Sequence, residues 1–320
     1  MNQNNEPQYQ ETTGSLDLSK AEPKSRFRTL GFVAFGSFAF FVFLIFKFPE
    51  GRIQNYLIAH ARIVMQNEGL SFAAEKVSLS FIFGPAVKFY NIEIRAIDDD
   101  SQILKIPFLK IRPKISSLIF KNKKLGISAE LLGGELSGTV GAGASGSMLI
   151  DLDVDRINLA LSTLVKRYTI VELKGEVDGK VEIDFDGVDP SKTEGIIALK
   201  LKNIQIPDQI AYGFNLPTLN IKQCVIDIPI GQGKADFRLV ECGKDVNKDD
   251  IIGNLSGQIT FDRVINNSKL NLRTVFQLSD TVVKAFPLLD ALLASAKSSD
   301  GKYLYRIGGS ISGIDPVPGG

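Results

Sequence analysis

Cys224 and Cys242 are the only cysteines in the 320-residue chain, and the Gly231-Gln232-Gly233-Lys234 stretch between them reads as a hairpin turn. Each lies nine residues from Gly233 (233 − 224 and 242 − 233). A three-residue loop centred on Gly233 would set the two directly opposite across an antiparallel pair. Opposed Cβ atoms sit about 4.5–5.5 Å apart, close to what a disulfide needs. The alternative is two free thiols buried in a strand pair. A one-residue slip of register would send them to opposite faces and forbid the bond.

Other residues offer weaker chemistry. His60 is the sole histidine, and a lone histidine among apolar neighbours reads as packing, or as resting near lipid headgroups, rather than catalysis. Gly141-Ala142-Gly143-Ala144-Ser145-Gly146 matches the dinucleotide pattern G-x-G-x-x-G, which needs a helix N-terminus immediately after it to hold pyrophosphate. The next residues instead alternate, Met148, Ile150, Leu152 and Val154 with Leu149, Asp151, Asp153 and Asp155, in a strand pattern. Asp245, Asn247 and Asp249 imitate the start of a calcium loop. Asp250 stands where glycine is required, and Ser256 where the bidentate glutamate belongs. No serine has a nucleophile-elbow context, and no Cys/His set has metal spacing. The sequence therefore predicts no catalytic, cofactor or metal residues and no enzyme.

The elements that carry these residues are mainly strands. Residues 51–68 read as a helix with Ile53, Leu57, Ala61, Val64 and Met65 on one stripe, His60 on the same stripe, and Gly69 as its stop. From residue 70 the period becomes two. Val77, Leu79 and Phe81 alternate with polar residues, as do Val181, Ile183 and Phe185, and Leu270, Leu272 and Phe276. Such alternation indicates antiparallel strands with one solvated face. Two helical breaks are predicted, a short one over residues 158–166 and one over residues 279–296, the latter capped by Ser279 or Asp280 and kinked or divided at Pro287. Helices do not alternate with strands, which argues against a parallel α/β sheet. The predicted class is mainly β: one long antiparallel sheet with a few short helices. Its apolar face could close as a barrel, pack as a sandwich, or curl into an open groove.

One segment stands apart. Residues 30–46, from Leu30 to Phe46, are unbroken apolar apart from Ser37. At about 1.5 Å per residue, a helix of this length just spans a hydrocarbon core of about 30 Å, and Lys47 can snorkel at its end. Lys20, Lys24, Arg26 and Arg28 precede it, so the positive-inside rule keeps the N-terminal tail cytoplasmic and sends the rest across. The long leader and the absence of a small-x-small site after the core favour an uncleaved anchor over a signal peptide. The predicted organisation is a disordered tail over 1–29, a transmembrane anchor over 30–48, an amphipathic linker helix over 49–69, and a β-rich domain over 70–320. With 37 Lys and Arg against 36 Asp and Glu, electrostatics give no case for nucleic acid.

The order of short motifs carries a resemblance. The span, Phe48-Pro49, the amphipathic helix, then Val77-Ser78-Leu79-Ser80 and Val87-Lys88-Phe89-Tyr90-Asn91-Ile92 are similar to the opening of the AsmA-like superfamily. Leu255-Ser256-Gly257-Gln258-Ile259, Ser268-Lys269-Leu270-Asn271-Leu272, an apolar helix, Tyr305-Arg306-Ile307-Gly308-Gly309-Ser310-Ile311 and Asp315-Pro316-Val317-Pro318 come in the order of the type II secretion system protein N family (GspN), long form. The closing stretch departs from that family's G-T-L-x-x-P pattern. The resemblance implies a bitopic protein of the bacterial cell inner membrane, its N-terminus cytoplasmic and its C-terminal domain periplasmic, where Cys224 and Cys242 would oxidise. It implies a non-enzymatic accessory component of type II secretion acting through contacts with other secretion-system or envelope proteins. AsmA-like relatives imply an alternative, the binding or transfer of phospholipid or another apolar ligand along a curled sheet.

Overall fold

The computed structural model describes residues 32–33, 35–37, 50–81, 84–114, 123–143, 146–161, 171–211 and 214–319. The chain divides into two units, Met1–Pro49 and Glu50–Gly320. In the first, Phe32, Val33, Phe35, Gly36 and Ser37 are helical and exposed. Leu30, Phe46, Lys47 and the basic set Lys20, Lys24, Arg26 and Arg28 lie outside the described residues. Among the described residues no helix is long and apolar enough to cross a membrane.

The second unit opens with helix α1 (Glu50–Asn67) and continues as a meander: β1 (Leu70–Ser80), β2 (Ala86–Ala96), β3 (Gln102–Pro113), β4 (Lys123–Leu131), β5 (Gly134–Ala142), β6 (Met148–Asn158), β7 (Lys174–Phe185) and β8 (Glu194–Ile206). A small hairpin, β9 (Gln209–Ala211) and β10 (Phe214–Leu216), forms its own two-stranded sheet. The meander resumes with β11 (Leu219–Gly231), β12 (Lys234–Cys242), β13 (Ile251–Thr260) and β14 (Lys269–Leu278). After helices α2 (Asp280–Ala285) and α3 (Pro287–Leu293) it closes with β15 (Tyr303–Ser310) and β16 (Gly313–Pro318). Fourteen strands make one antiparallel sheet whose order is that of the sequence, with β8 beside β11. β1 and β16 are its two ends and pair on one side only, so the sheet is open rather than a barrel.

The expected second helical break divides as the proline demands. Pro287 has no N–H to continue α2, and it begins α3 at a position where that N–H would be unsatisfied anyway. The Ser279 hydroxyl caps α2 by accepting from Val282 N at 3.3 Å. At the first break, β6 runs to Asn158, one residue into the expected helix, and Leu159–Leu161 form a 3-10 turn. Residues 162–166 of the predicted helix lie outside the described residues.

Helix α1 also differs from its sequence reading. Ile58, Ala61 and Met65 are the residues that pack on the core of Phe72, Val77, Phe89 and Ile92. Val64 and His60, predicted on the packed stripe, are exposed. The helix carries apolar residues on two nearly opposite sides, since at about 100° per residue positions 58, 61 and 65 point away from 56, 60, 63 and 64, and the sheet buries the first set. At the other end, Val282, Val283, Leu289 and Leu293 of α2 and α3 cover Leu219, Leu278 and Tyr303. Each buried Leu- or Val-sized side chain contributes about 1.5–3 kcal/mol, so both ends of the sheet are anchored by their helices.

Strict alternation breaks inside several strands. Asn91, Arg156 and Asn203 adopt positive φ mid-strand. On β1 the core side passes from Phe72 to Val77, so inward residues change parity. The Arg156 bend is a bulge between Val154 and Ile157. Its freed N–H donates to Asp178 Oδ1 at 2.9 Å, and Asp178 Oδ2 accepts from Lys202 Nζ on β8 at 2.6 Å. A carboxylate thus fills the ladder position that the bulge vacates. The Lys202 ammonium and then the Arg156 N–H hold the Asp178 carboxyl below the ordinary carboxylate range.

Candidate functional site

The cysteines are the first predicted pair the fold brings together. Cys224 and Cys242 are register partners on β11 and β12 and are joined in a disulfide. The route differs from the one predicted. The turn has two residues, Gln232 and Gly233, both at positive φ, as tight hairpins require. From Gly231 opposite Lys234, a straight ladder would set Cys224 against Glu241. A bulge on β12 absorbs one residue between Phe237 and Val240 and restores the pairing. Its sequence signal is the break in alternation from Ala235 and Phe237 to Val240 and Cys242, all apolar and on one side.

The imitation calcium loop has another purpose. β12 ends at Cys242, which leaves N–H groups of β11 without a neighbouring strand. Asp249, only 3% exposed, accepts from Lys222 N at 2.7 Å, Lys244 N at 2.9 Å and Asp245 N at 3.2 Å. Asp250 accepts from Asn220 N at 2.7 Å and from Ser279 Oγ at 3.1 Å. Burial alone would raise the Asp249 pKa, but the three backbone donors outweigh it and hold the carboxyl below its ordinary value. Asp245 is engaged by Asn247 N and Lys248. The Gly141–Gly146 motif runs into β6 rather than a helix, with Gly143 N donating to Ser147 O at 2.9 Å. Among the described residues no group of three or more His, Cys, Asp or Glu side chains is arranged to hold a metal ion. His60 stacks on Tyr56 of α1, ring centroids 6.0 Å apart.

The feature that remains is the apolar face itself. Register partners share a face, so the pairings trace a continuous apolar surface across the sheet. Leu109 of β3 faces Ala129 of β4, and Ala129 faces Leu136 of β5. Val140 faces Ile150, Leu152 faces Val181, Val181 faces Ile197, and Leu199 faces Ile226. The opposite face of the same strands carries Asp151, Asp153, Lys180 and Glu182, with Lys180 paired to Asp151 at 3.4 Å and to Glu182 at 2.9 Å.

Coverage of the apolar face is uneven. α1 packs on the core formed by β1 and β2, and α2 with α3 forms a core with Leu219 of β11, Leu278 of β14 and Tyr303 of β15. The α2–α3 core reaches β8 only at its end, through Ile206, and no described helix covers β4 to β7 or the rest of β8. There Ile127, Val140, Ile150, Leu152, Val181, Ile197 and Leu199 are half-buried and Leu125 and Met148 are exposed, while Ala129, Ile157, Phe185 and Ile204 of the same strands are buried and Ile183 and Ile197 pack against the core of Ile228, Ile230 and Ala235. Side chains between two packed layers would be buried, since protein interiors pack as densely as crystals. At about 4.8 Å per strand, β4 to β8, whose middle no described helix covers, are about 20 Å across. One leaflet of a hydrocarbon core about 30 Å thick, the reach of one acyl chain, is about 15 Å.

No family model, curated protein or solved structure matches this chain.

Proposed function

We propose that this protein is a non-enzymatic, membrane-tethered carrier that cradles the acyl chain of a lipid, or a similar apolar ligand, against the uncovered face of β4 to β8. The observation that carries this reading is the continuity of that face together with its half-burial. A run of Ile, Leu and Val left partly in water across five strands is a surface complementary to something apolar. Polar groups that could do chemistry, by contrast, are spent on the fold: Asp249, Asp250 and Asp178 satisfy backbone donors. The apolar run 30–46 supports a tether in a bilayer, the source of such a ligand. Native mass spectrometry of the full chain extracted in mild detergent tests the proposal. Co-purifying lipid supports it. A chain that emerges free of lipid and fails to bind a fluorescent fatty acid refutes it.

A second reading, an accessory component of type II secretion working by periplasmic protein contact, is supported by motif order. The stretches that resemble the protein N family fall on consecutive elements, β13, β14, α2 with α3, β15 and β16. Recovery of secretion subunits with the chain from membranes supports this role. Undisturbed export of folded substrates after loss of the gene counts against it.

A further inference from the structure

Helix α1 buries one apolar stripe and displays another. Ile58, Ala61 and Met65 face the sheet. Tyr56, Ile63 and Val64 remain 68%, 57% and 49% exposed, and His60 is exposed against the Tyr56 ring. Positions 56, 60, 63 and 64 have the i, i+4, i+7, i+8 spacing of one helix face. The described residues leave that stripe in solvent, although each of its large side chains would gain about 1.5–3 kcal/mol by full burial.

The chain's apolar run points to the occupant. The last residue of the apolar run, Phe46, precedes Glu50, the first of α1, by four positions. At about 3.5 Å per residue, that connection spans at most about 14 Å. If residues 30–46 span a bilayer, α1 is held within reach of its surface. The stripe has the chemistry of that layer: a tyrosine and a histidine with amphipathic rings, two β-branched aliphatics, and the exposed cation Arg52 at the end nearest the run.

We propose that α1 lies on the bilayer surface, with Tyr56, Ile63 and Val64 at the boundary between headgroups and acyl chains. This sets the β1 end of the sheet, where α1 packs, as the end that meets the membrane. It rests on the tethered-carrier reading above and specifies the surface that carrier uses.

The test uses the full chain reconstituted in vesicles of phosphatidylcholine and phosphatidylglycerol. The native cysteines are bonded to each other, so a thiol-reactive, polarity-sensitive dye reports on Ile63→Cys alone. Separate samples carry Arg62→Cys, exposed on another side of α1, and Val264→Cys, in a distant exposed turn. Unchanged circular dichroism is required of each, with Val64→Cys replacing Ile63→Cys if that variant misfolds. A dye at 63 should emit to the blue and be quenched by nitroxide lipids roughly threefold more than at 62 or 264, as an interfacial helix requires. Equal quenching at 63 and 264 overturns the proposal. So does a blue shift at 63 without lipid quenching, the signature of a protein occupant such as a second copy. Fatty-acid binding measured on the same samples separates the two readings. Binding retained with an unquenched dye refutes only the membrane contact. A quenched dye without binding refutes only the carrier.

Discussion

Leu152→Lys is the sharpest perturbation of the carrier face. Leu152 sits mid-strand on β6, paired with Gly138 on β5 and Val181 on β7, and is half-buried. A lysine there can lift its ammonium to solvent while its stem still covers the sheet. The fold therefore loses little, about 1 kcal/mol for the exchanged apolar surface. A bound acyl chain loses more. Strands are about 4.8 Å apart, so one strand contacts about three methylenes. At about 0.8 kcal/mol each, displacing them costs about 2.5 kcal/mol, which is about 70-fold in affinity. The assay is titration of a fluorescent fatty acid against the full chain, with urea unfolding run in parallel. Asp153→Lys, one residue along and on the opposite face, is the control and should leave binding unchanged. Equal affinity of Leu152→Lys and wild type, with matching unfolding midpoints, would refute the assignment of this face to the ligand.

The geometry sets three further outcomes. Replacing both cysteines by alanine opens a loop of sequence separation 18 and should cost about 3 kcal/mol by the chain-entropy relation, read as a lower urea midpoint that wild type reproduces under reductant. Gly179→Ala should destabilise the sheet by about 2 kcal/mol or more, because Gly179 has φ +142 and an added Cβ would fall on the Ala198 carbonyl oxygen; an unchanged thermal midpoint would contradict this. The carboxyls of Asp178 and Asp249 are held below the ordinary value, near 3.9 for aspartate. Their stabilisation is fully present above that value and is lost as pH falls through the depressed folded-state values. Acid unfolding monitored by circular dichroism should therefore show a component below about pH 4 that Asp249→Asn reduces and Asp178→Asn with Asp249→Asn removes.

The class of this protein is written in its local sequence patterns. Period-two runs such as Val181, Ile183 and Phe185 mark strands whichever neighbours they find, because alternation is a property of the extended backbone. Pro287 divides its helix for an equally local reason. The spacing of Cys224 and Cys242 around the turn led to the correct pair through the wrong loop. A two-residue turn and a distant bulge each shift the register by one, and the two shifts cancel. Everything else needed the folded chain. Which stripe of α1 is buried depends on the shape of the β1–β3 face, and both stripes are apolar. Asp249 resembled a cation ligand until β12 stopped short and left the Lys222 N–H to be satisfied. Whether the sheet closes or stays open is invisible in alternation, since the same inward residues suit a sandwich, a barrel or a groove. That choice rests on pairings between residues far apart in sequence and on where helices α1, α2 and α3 come to lie. These leave the central side chains of β4 to β8 half-buried and give the chain the surface on which its proposed function depends.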